Sequence, residues 1–459
     1  MENKQRIPMR EQEPAQRACN FQEVALGYDD AEALAEASRC LRCKRPLCVE
    51  GCPVAVDIPG FIGALKDGDA PEAYRRIRAT NSLPAVCGRV CPQETQCETR
   101  CVLGRKGEPV AIGRLERYAA DRFLREGAQG AAPPASNGIR VAVVGAGPAG
   151  LTCAGSLRAM GYDVTLLEAL HRPGGVLAYG IPEFRLPKAL VAAEVAQLTQ
   201  MGVALELNTV VGRTVLIDDL LADGCRAVFV GSGAGLPMFL GIPGEDLSGV
   251  YSANEFLTRV NLMGAYRPDS LTPVRRGKRV VVVGGGNVAM DAARCALRLG
   301  AAVTIVYRRT LEEMPARQEE IHHAMEEGIE FAMLTAPEAI LGDEQGWVRA
   351  ISCRKMALGE PDASGRRRPV PLDGPAEELA CDQVILAIGT SPNPLIASTT
   401  DGLEADRKGC LIVTEDQMTT RDGVYAGGDA VTGAATVILA MGAGRKAAEE
   451  IDKRLQAPA

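Results

Sequence analysis

Eight of the fifteen cysteines are crowded between Cys40 and Cys101, in two runs of different spacing. The first, RCLRCKRPLCVEGCPV, sets Cys40, Cys43, Cys48 and Cys52 as C-x2-C-x4-C-x3-C, and the second, VCGRVCPQETQCETRC, sets Cys87, Cys91, Cys97 and Cys101 as C-x3-C-x5-C-x3-C. The other seven stand singly along the chain, which argues against a disulfide scaffold. In a reducing compartment, crowded thiolates hold metal. Cys-Pro at Cys52-Pro53 and Cys91-Pro92, and two runs able to exchange ligands, point to iron–sulfur clusters. Zinc is the competing reading, but zinc knuckles usually pair two C-x-x-C groups and only one stands here.

A second chemistry is written in glycines. From Ile139 to Glu168, the apolar strand Val141 to Val144 runs into Gly145, Gly147 and Gly150, a G-x-G-x-x-G enclosing Pro148 and Ala149. The first glycine permits a tight turn, the second lets backbone approach a pyrophosphate, and the third lets helix and strand pack closely. The helix N-terminus that follows favours phosphate charge. A second strand, Asp163 to Leu167, ends in Glu168, where a carboxylate can accept hydrogen bonds from ribose hydroxyls. This βαβ unit reads as a dinucleotide site, and we take it as the seat of FAD. Gly174 and Gly175, in RPGGVLAYGIPEFRLPK, can approach a ligand closely, although a plain turn explains the glycines equally well. No catalytic arrangement is legible in that segment.

Arg279 to Arg308 repeats the organisation, with Gly284, Gly286 and Ala289 as G-x-G-x-x-A and with Asn287 and Val288 opening the helix. Tyr307 stands as far from Gly286 as Glu168 stands from Gly147, so no acid meets the ribose. Arg308 and Arg309 follow at once, and guanidinium groups suit a 2′-phosphate, so NADPH is expected over NADH. The competing reading is a pair of arginines solvating a loop. Near the end, GVYAGGDAVTG offers Gly428 and Asp429 to the ribityl and phosphate region of a flavin, or Asp429 as an ordinary helix cap.

These residues need elements to hold them. At 459 residues the chain suggests about three domains. Asp30 could cap a helix AEALAEASR, a helical hairpin is expected between the cysteine runs, and GRLERYAADRFLRE continues as a helix carrying Glu116. QGAAPPASNG then reads as a linker. The expected domains are a helical one at 1–130, a flavin part at 138–260, a nicotinamide domain at 261–381 and a second flavin part at 382–459, where the chain returns. Net charge is -7 with dispersed basic residues, which does not favour nucleic acid. The most hydrophobic stretch, Ala227 to Pro243, is broken by glycines and prolines, and the opening residues have no apolar leader. A cytoplasmic protein with no membrane contact is therefore expected.

The chain resembles the small subunit of bacterial NADPH-dependent glutamate synthase and its relatives in dihydropyrimidine dehydrogenase and the electron-bifurcating ferredoxin:NADP oxidoreductases. The motifs that carry this are the two cysteine runs, VVGAGPAGL, GGVLAYGIPEFRLPK, VVVVGGGNVAMDAAR, YRRTLEEMPA and GVYAGGDAVTGAATVILAMGAGRKAA. The resemblance implies an α/β fold with two Rossmann-like domains like those of disulfide reductases, the NADP domain inserted in the FAD domain, after a helical domain with two [4Fe-4S] clusters. It implies Cys40, Cys43, Cys48 and Cys101 on one cluster. Cys52, Cys91 and Cys97 would hold the other, with Glu116 as the fourth ligand; by spacing alone that ligand could equally be Cys87. No catalytic C-x-x-C stands beside the flavin site, so electrons from NADPH are expected to leave through the clusters. The implied partner is a large subunit that makes glutamate from glutamine and 2-oxoglutarate, the alternative being a bifurcating or sulfide- and ferredoxin-linked enzyme of the same build. The chain opens Met-Glu-Asn with its first cysteine at Cys19, so no N-terminal amidotransferase nucleophile is expected in it.

Overall fold

A computed structural model describes residues 4–127, 134–362 and 365–457. Most of the expected linker lies outside the described residues. The N-terminal part is helical: α1 (Asp30–Ser38), α2 (Ile58–Lys66), α3 (Ala70–Arg78), α4 (Pro84–Val90) and α5 (Ile112–Glu126). The cap of α1 is Asp29, one residue before the expected Asp30, because Glu32 answers Asp29 in a reciprocal capping box. Helices α2 and α3 form the expected hairpin between the cysteine runs, and α4 carries Cys87. Helix α5 packs so closely on α4 that a Cβ on Gly88 would stand 2.6 Å from the Arg117 backbone.

Two parallel sheets follow. In the first, β1 (Arg140–Val144), β2 (Asp163–Leu167), β3 (Ala204–Glu206), β4 (Ala227–Val230) and the late β16 (Val424–Ala426) take the order β16-β4-β1-β2-β3. The helix α6 (Pro148–Ala159) joins β1 to β2. In the second sheet the order is β6-β14-β7-β8-β9, from β6 (Val250–Ser252), β7 (Arg279–Val283), β8 (Ala302–Tyr307), β9 (Glu330–Met333) and β14 (Gln383–Leu386), with α7 (Asn287–Arg298) after β7. The central strands of both are continuous apolar runs, as burial on both faces requires. An antiparallel sheet of β10 (Thr335–Gly342), β11 (Val348–Pro361), β12 (Arg367–Pro371) and β13 (Glu377–Ala380) lies beside the second.

The crossings between sheets are β5 (Leu236–Pro237) and β15 (Thr390–Ser391), which pair as an antiparallel ribbon. This differs from boundaries at 260/261 and 381/382: β6 and β14 pair within the second sheet. An apolar run declares a buried strand, but its hydrogen-bond partner decides the sheet.

One core joins the helical part to the first sheet, running from Ile62, Val86 and Leu115 to Val141, Leu151 and Met441. The chain before α1 reaches instead to the second sheet's domain. Val24 donates its N–H to the Phe184 carbonyl at 2.9 Å, and Phe21 stacks on Tyr266. Arg17 is 2 % exposed and pairs with Glu11, Glu326 and Glu327. Arg294 and Arg298 converge on the same Glu327 at 2.6 and 2.7 Å. Burial would raise the Glu327 carboxyl, but the Arg298 and Arg294 guanidinium groups override it and hold it down at about 2.

Removing that charge leaves three buried arginines short of a partner, a loss of about 3–5 kcal/mol. Glu327→Gln is accordingly expected to lower the calorimetric midpoint of the holoprotein by on the order of 10 °C. A shift below about 2 °C would mean the arginines find other partners.

Candidate cofactor sites

The first fingerprint builds a cradle that only glycine can line. Gly145 turns at φ +96, and a Cβ on Gly150 would fall 1.8 Å from the Gly145 carbonyl oxygen, so the third glycine seats α6 directly on the end of β1. Gly147 caps α6 and Pro148 opens it. Opposite lies the second glycine turn: Gly174 donates to the Ala146 carbonyl at 2.8 Å, and a Cβ on Gly175 would stand 2.9 Å from the Gly147 Cα. The equal readings of Gly174 and Gly175 thus resolve into a turn that is itself part of the cradle.

Glu168 is buried and accepts from the Ala146 and Leu170 N–H groups, each at 2.8 Å, so it ties the turn as well as facing it. A carboxylate has about four lone-pair sites, which leaves capacity for ribose hydroxyls. The late segment returns against the same helix. Ala149 faces Gly428 and Gly444, where added Cβ atoms would come to 2.9 Å from its Cβ and 2.1 Å from its carbonyl oxygen. Asp429 accepts from the Ala435 N–H at 3.0 Å, and burial pushes its carboxyl up to about 6. A half-buried acceptor with one internal donor suits a hydroxylated ligand chain.

At the second fingerprint, Gly284 (φ +143) packs against Ala387, whereas nothing lies within 4 Å of a Cβ on Gly286, leaving open space at the mouth of α7. Asn287 Oδ1 accepts from the Arg317 N–H at 2.9 Å, and Val288 is exposed at the first turn. Tyr307 is buried and its hydroxyl donates to the Glu313 carbonyl. The two arginines beyond it part company. Arg308 is exposed, and no hydrogen bond or ion pair among the described residues engages it. Arg309 is 5 % exposed and donates to the Asp362 carboxylate and the Arg367 carbonyl, both at 2.7 Å. Its expected role on a 2′-phosphate is therefore withdrawn: the β11–β12 hairpin has claimed its guanidinium.

The eight cysteines separate into an outer and an inner group. Cys40, Cys43, Cys48 and Cys101 line one cavity, roofed by Leu41 and floored by Ile62 and Ile112, and all four are half-buried. Cys91 and Cys97 are buried, with Cys52 and Glu116 close enough to act on each other's ionisation. Burial, then the nearby Glu116 and Cys91, push the Cys52 thiol up to about 11. Burial likewise pushes Glu116 up to about 8 against a 2.6 Å hydrogen bond from Asn81. Several acids that cannot ionise together are the donor set a cation stabilises. Cys87 is fully buried in the same place, its sulfur 3.6 Å from Asn81 Oδ1 and 3.5 Å from the Met441 sulfur.

Met441 belongs to α8 (Val437–Gln456), and this helix couples the inner group to the first cradle. A Cβ on Gly442 would stand 3.2 Å from the Pro53 carbonyl oxygen, Arg445 donates to the Val54 carbonyl at 3.3 Å, and Gly444 of the same helix rests on Ala149. The segment in which no site was legible proves to be a clamp. Phe184 is wholly buried in the second domain's core, and Arg185 pairs with Asp291 at 2.7 Å and with Glu320 at 2.8 Å. Asn261 donates to the Gly180 carbonyl. The legible signal is the run of charges Asp291, Arg294 and Arg298 among the small apolar residues of α7, all three buried.

Residues 17–128 match the family model for dihydropyrimidine dehydrogenase domain II, 4Fe-4S cluster, and residues 139–444 that for pyridine nucleotide-disulphide oxidoreductase. The chain is 39% identical over 448 residues to the glutamate synthase [NADPH] small chain of Escherichia coli (strain K12), covering 95% of this chain and 94% of that one. It belongs to the glutamate synthase small-chain family. Like the family, it is an oxidoreductase with a 4Fe-4S domain ahead of an FAD- and NADP-binding unit. The small chain of Halomonas elongata is equally similar, at 39% over 96% of this chain and 95% of its own. The putative oxidoreductase AegA of Escherichia coli (strain K12) is 41% identical over 95% of this chain and 67% of its own length. Among solved structures, FprA of Mycobacterium tuberculosis in complex with NADPH shares the fold at a TM-score of 0.60 and 22% identity, covering 69% of this chain and 84% of FprA. No described helix is long and apolar enough to cross a membrane.

Proposed function

We propose that this family member is the electron-input subunit of a glutamate synthase, oxidising NADPH and delivering the electrons to a large subunit that makes glutamate from glutamine and 2-oxoglutarate. The observation that carries it is α8, which lies against the flavin cradle at Gly444 and against the inner cysteine group at Gly442. In this reading Gly145, Gly147, Pro148, Ala149, Gly150, Glu168, Gly174, Gly175, Gly428 and Asp429 hold FAD. Gly284, Gly286, Asn287, Val288 and Arg308 hold NADPH. Cys40, Cys43, Cys48 and Cys101 hold an outer [4Fe-4S] cluster; Cys52, Cys91, Cys97 and Glu116 hold an inner one. Bound there, flavin supplies the exchange between hydride and single-electron chemistry, and the clusters supply one-electron carriers.

The protein's own part is position. The Phe184–Arg185 clamp holds the nicotinamide domain against the flavin domain, the strap at Arg17 ties the N-terminal segment to the nicotinamide domain, and Gly442 against Pro53 keeps the inner cluster's loop on the flavin helix. The test is an assay of the anaerobically purified chain. It is expected to reduce artificial dyes with NADPH and to form glutamate only after a large subunit is added; glutamate from this chain alone would refute the reading. The alternative, a ferredoxin-linked or bifurcating subunit, would be recognised by electron delivery to such a carrier with no glutamate formed on adding a large subunit.

Cofactor choice gives a separable prediction. Arg308→Ala is expected to raise the Michaelis constant for NADPH about ten- to a hundredfold, the loss of a charge-assisted phosphate bond of about 1.5–3 kcal/mol, and to leave NADH unaffected. Arg309→Ala is expected to lower stability with no such selectivity. Equal selectivity losses in both variants would contradict the buried Arg309–Asp362 pair.

A further inference from the structure

The two cysteine groups differ in depth, and the outer one opens onto an unusual surface. Cys40, Cys43, Cys48 and Cys101 are half-buried, as is Cys52 of the inner group, whereas Cys91 and Cys97 of that group, and Cys87 beside them, are buried. Leu41, between two of the outer cysteines, is 52% exposed, and Leu47 and Leu103 are partly exposed around the same cavity. Around this small apolar centre stand Arg42, Lys44, Arg45, Arg100, Arg105 and Lys106, every one exposed.

The concentration of charge is local. Residues 40–52 and 97–108 carry those six basic side chains against Glu50, Glu98 and Glu108, in a chain whose net charge is -7. Glu98 is buried on Arg6 and does not offset the surface. Arg42 pairs with Asp67 and Arg45 with Glu50, exposed pairs that offset two of the six charges and are easily exchanged for others. No ion pair among the described residues engages Lys44, Arg100, Arg105 or Lys106. Four cations on a short rim thus repel one another without an ion-pair partner among the described residues. An apolar centre inside a ring of one sign is the anatomy of an interface whose partner has the opposite sign.

We propose that this basic collar is the docking surface for the acidic face of an electron-accepting protein. The inference rests on the reading that the outer cysteines hold a cluster, and it adds the place and the charge of the partner. Close approach matters because this is the cysteine group nearest the surface, so a partner centred on Leu41 comes nearest the electrons. The collar steers such a partner by long-range attraction and repels a basic one, and salt screens both effects over a Debye length of about 8 Å at physiological ionic strength.

The test uses holoprotein of verified iron and flavin content and two probes: a plant-type ferredoxin, which is a small acidic carrier, and cytochrome c, which is basic. Binding is measured by surface plasmon resonance at low and moderate salt for the wild type and for the quadruple variant Lys44→Glu, Arg45→Glu, Arg105→Glu, Lys106→Glu. The wild type is expected to bind ferredoxin and lose at least about tenfold in affinity on adding salt. The variant is expected to lose about the same at low salt, to gain binding of cytochrome c, and to keep its iron content and its NADPH oxidation with an uncharged quinone. Ferredoxin binding that is absent in the wild type, or unchanged in the variant, overturns the proposal. So does tighter binding of a short DNA duplex than of ferredoxin. Absence of iron or of NADPH oxidation in the wild type defeats the functional reading itself, which keeps the two failures distinct.

Discussion

Alanine in place of Gly150 is expected to give a protein that keeps its iron and loses its FAD. The added Cβ would lie 1.8 Å from the Gly145 carbonyl oxygen, a backbone atom that cannot swing aside. Gly145 cannot retreat either, since its own Cβ position is 2.6 Å from the Gly231 carbonyl oxygen. Relief must come from lifting α6 off β1. That movement withdraws the helix N-terminus from the phosphates and strains the contact of Ala149 with Gly444. Overpacking of this kind costs about 1–3 kcal/mol, so FAD affinity is expected to fall by about ten- to a hundredfold. Flavin absorbance per chain after gel filtration measures it. Gly286→Ala is the control: its Cβ meets nothing within 4 Å, so that variant is expected to fold, keep FAD and lose only NADPH affinity. A Gly150→Ala protein with full flavin content would contradict the direct seating of α6 on the end of β1.

Cys97→Ser is expected to reduce iron from about eight to about four atoms per chain, as two four-iron clusters become one, with FAD retained. Because α8 touches the inner group at Cys87 and Pro53 and the proposed route to an acceptor runs through that group, electron delivery to a protein acceptor should fall at least about a hundredfold, while dye reduction at the flavin persists. The same iron and sulfide analysis decides the fourth ligand. Glu116, held by Asn81 beside Cys52 and Cys97, is the fourth ligand in the proposed reading; the buried Cys87 sulfur lies against Asn81 and Met441 and hydrogen-bonds with Cys91. Glu116→Ala should therefore cost the inner cluster and Cys87→Ala should spare it. Iron retained at about eight in Cys97→Ser would exclude the inner group as a cluster site.

What could be read from the sequence is what adjacent residues decide among themselves. The G-x-G-x-x-G and G-x-G-x-x-A turns were legible because each glycine answers a demand made within one strand–turn–helix, and the helix at Glu116 because its apolar spacing is local. The cysteine spacings announced metal for the same reason. Tertiary structure alone decided the choices made by distant partners. Arg308 and Arg309 are identical neighbours until Asp362 arrives from the end of β11 and buries one of them. Cys101 joins Cys40, Cys43 and Cys48 around one cavity although Cys52 is nearer in sequence, because the chain returns to that cavity after the hairpin. Strand β14 carries an apolar run that either sheet could have taken, and Phe184 reads as a loop residue until it enters the core of the other domain. Periodicity states how much of a residue is buried; the topology of the whole chain selects what buries it.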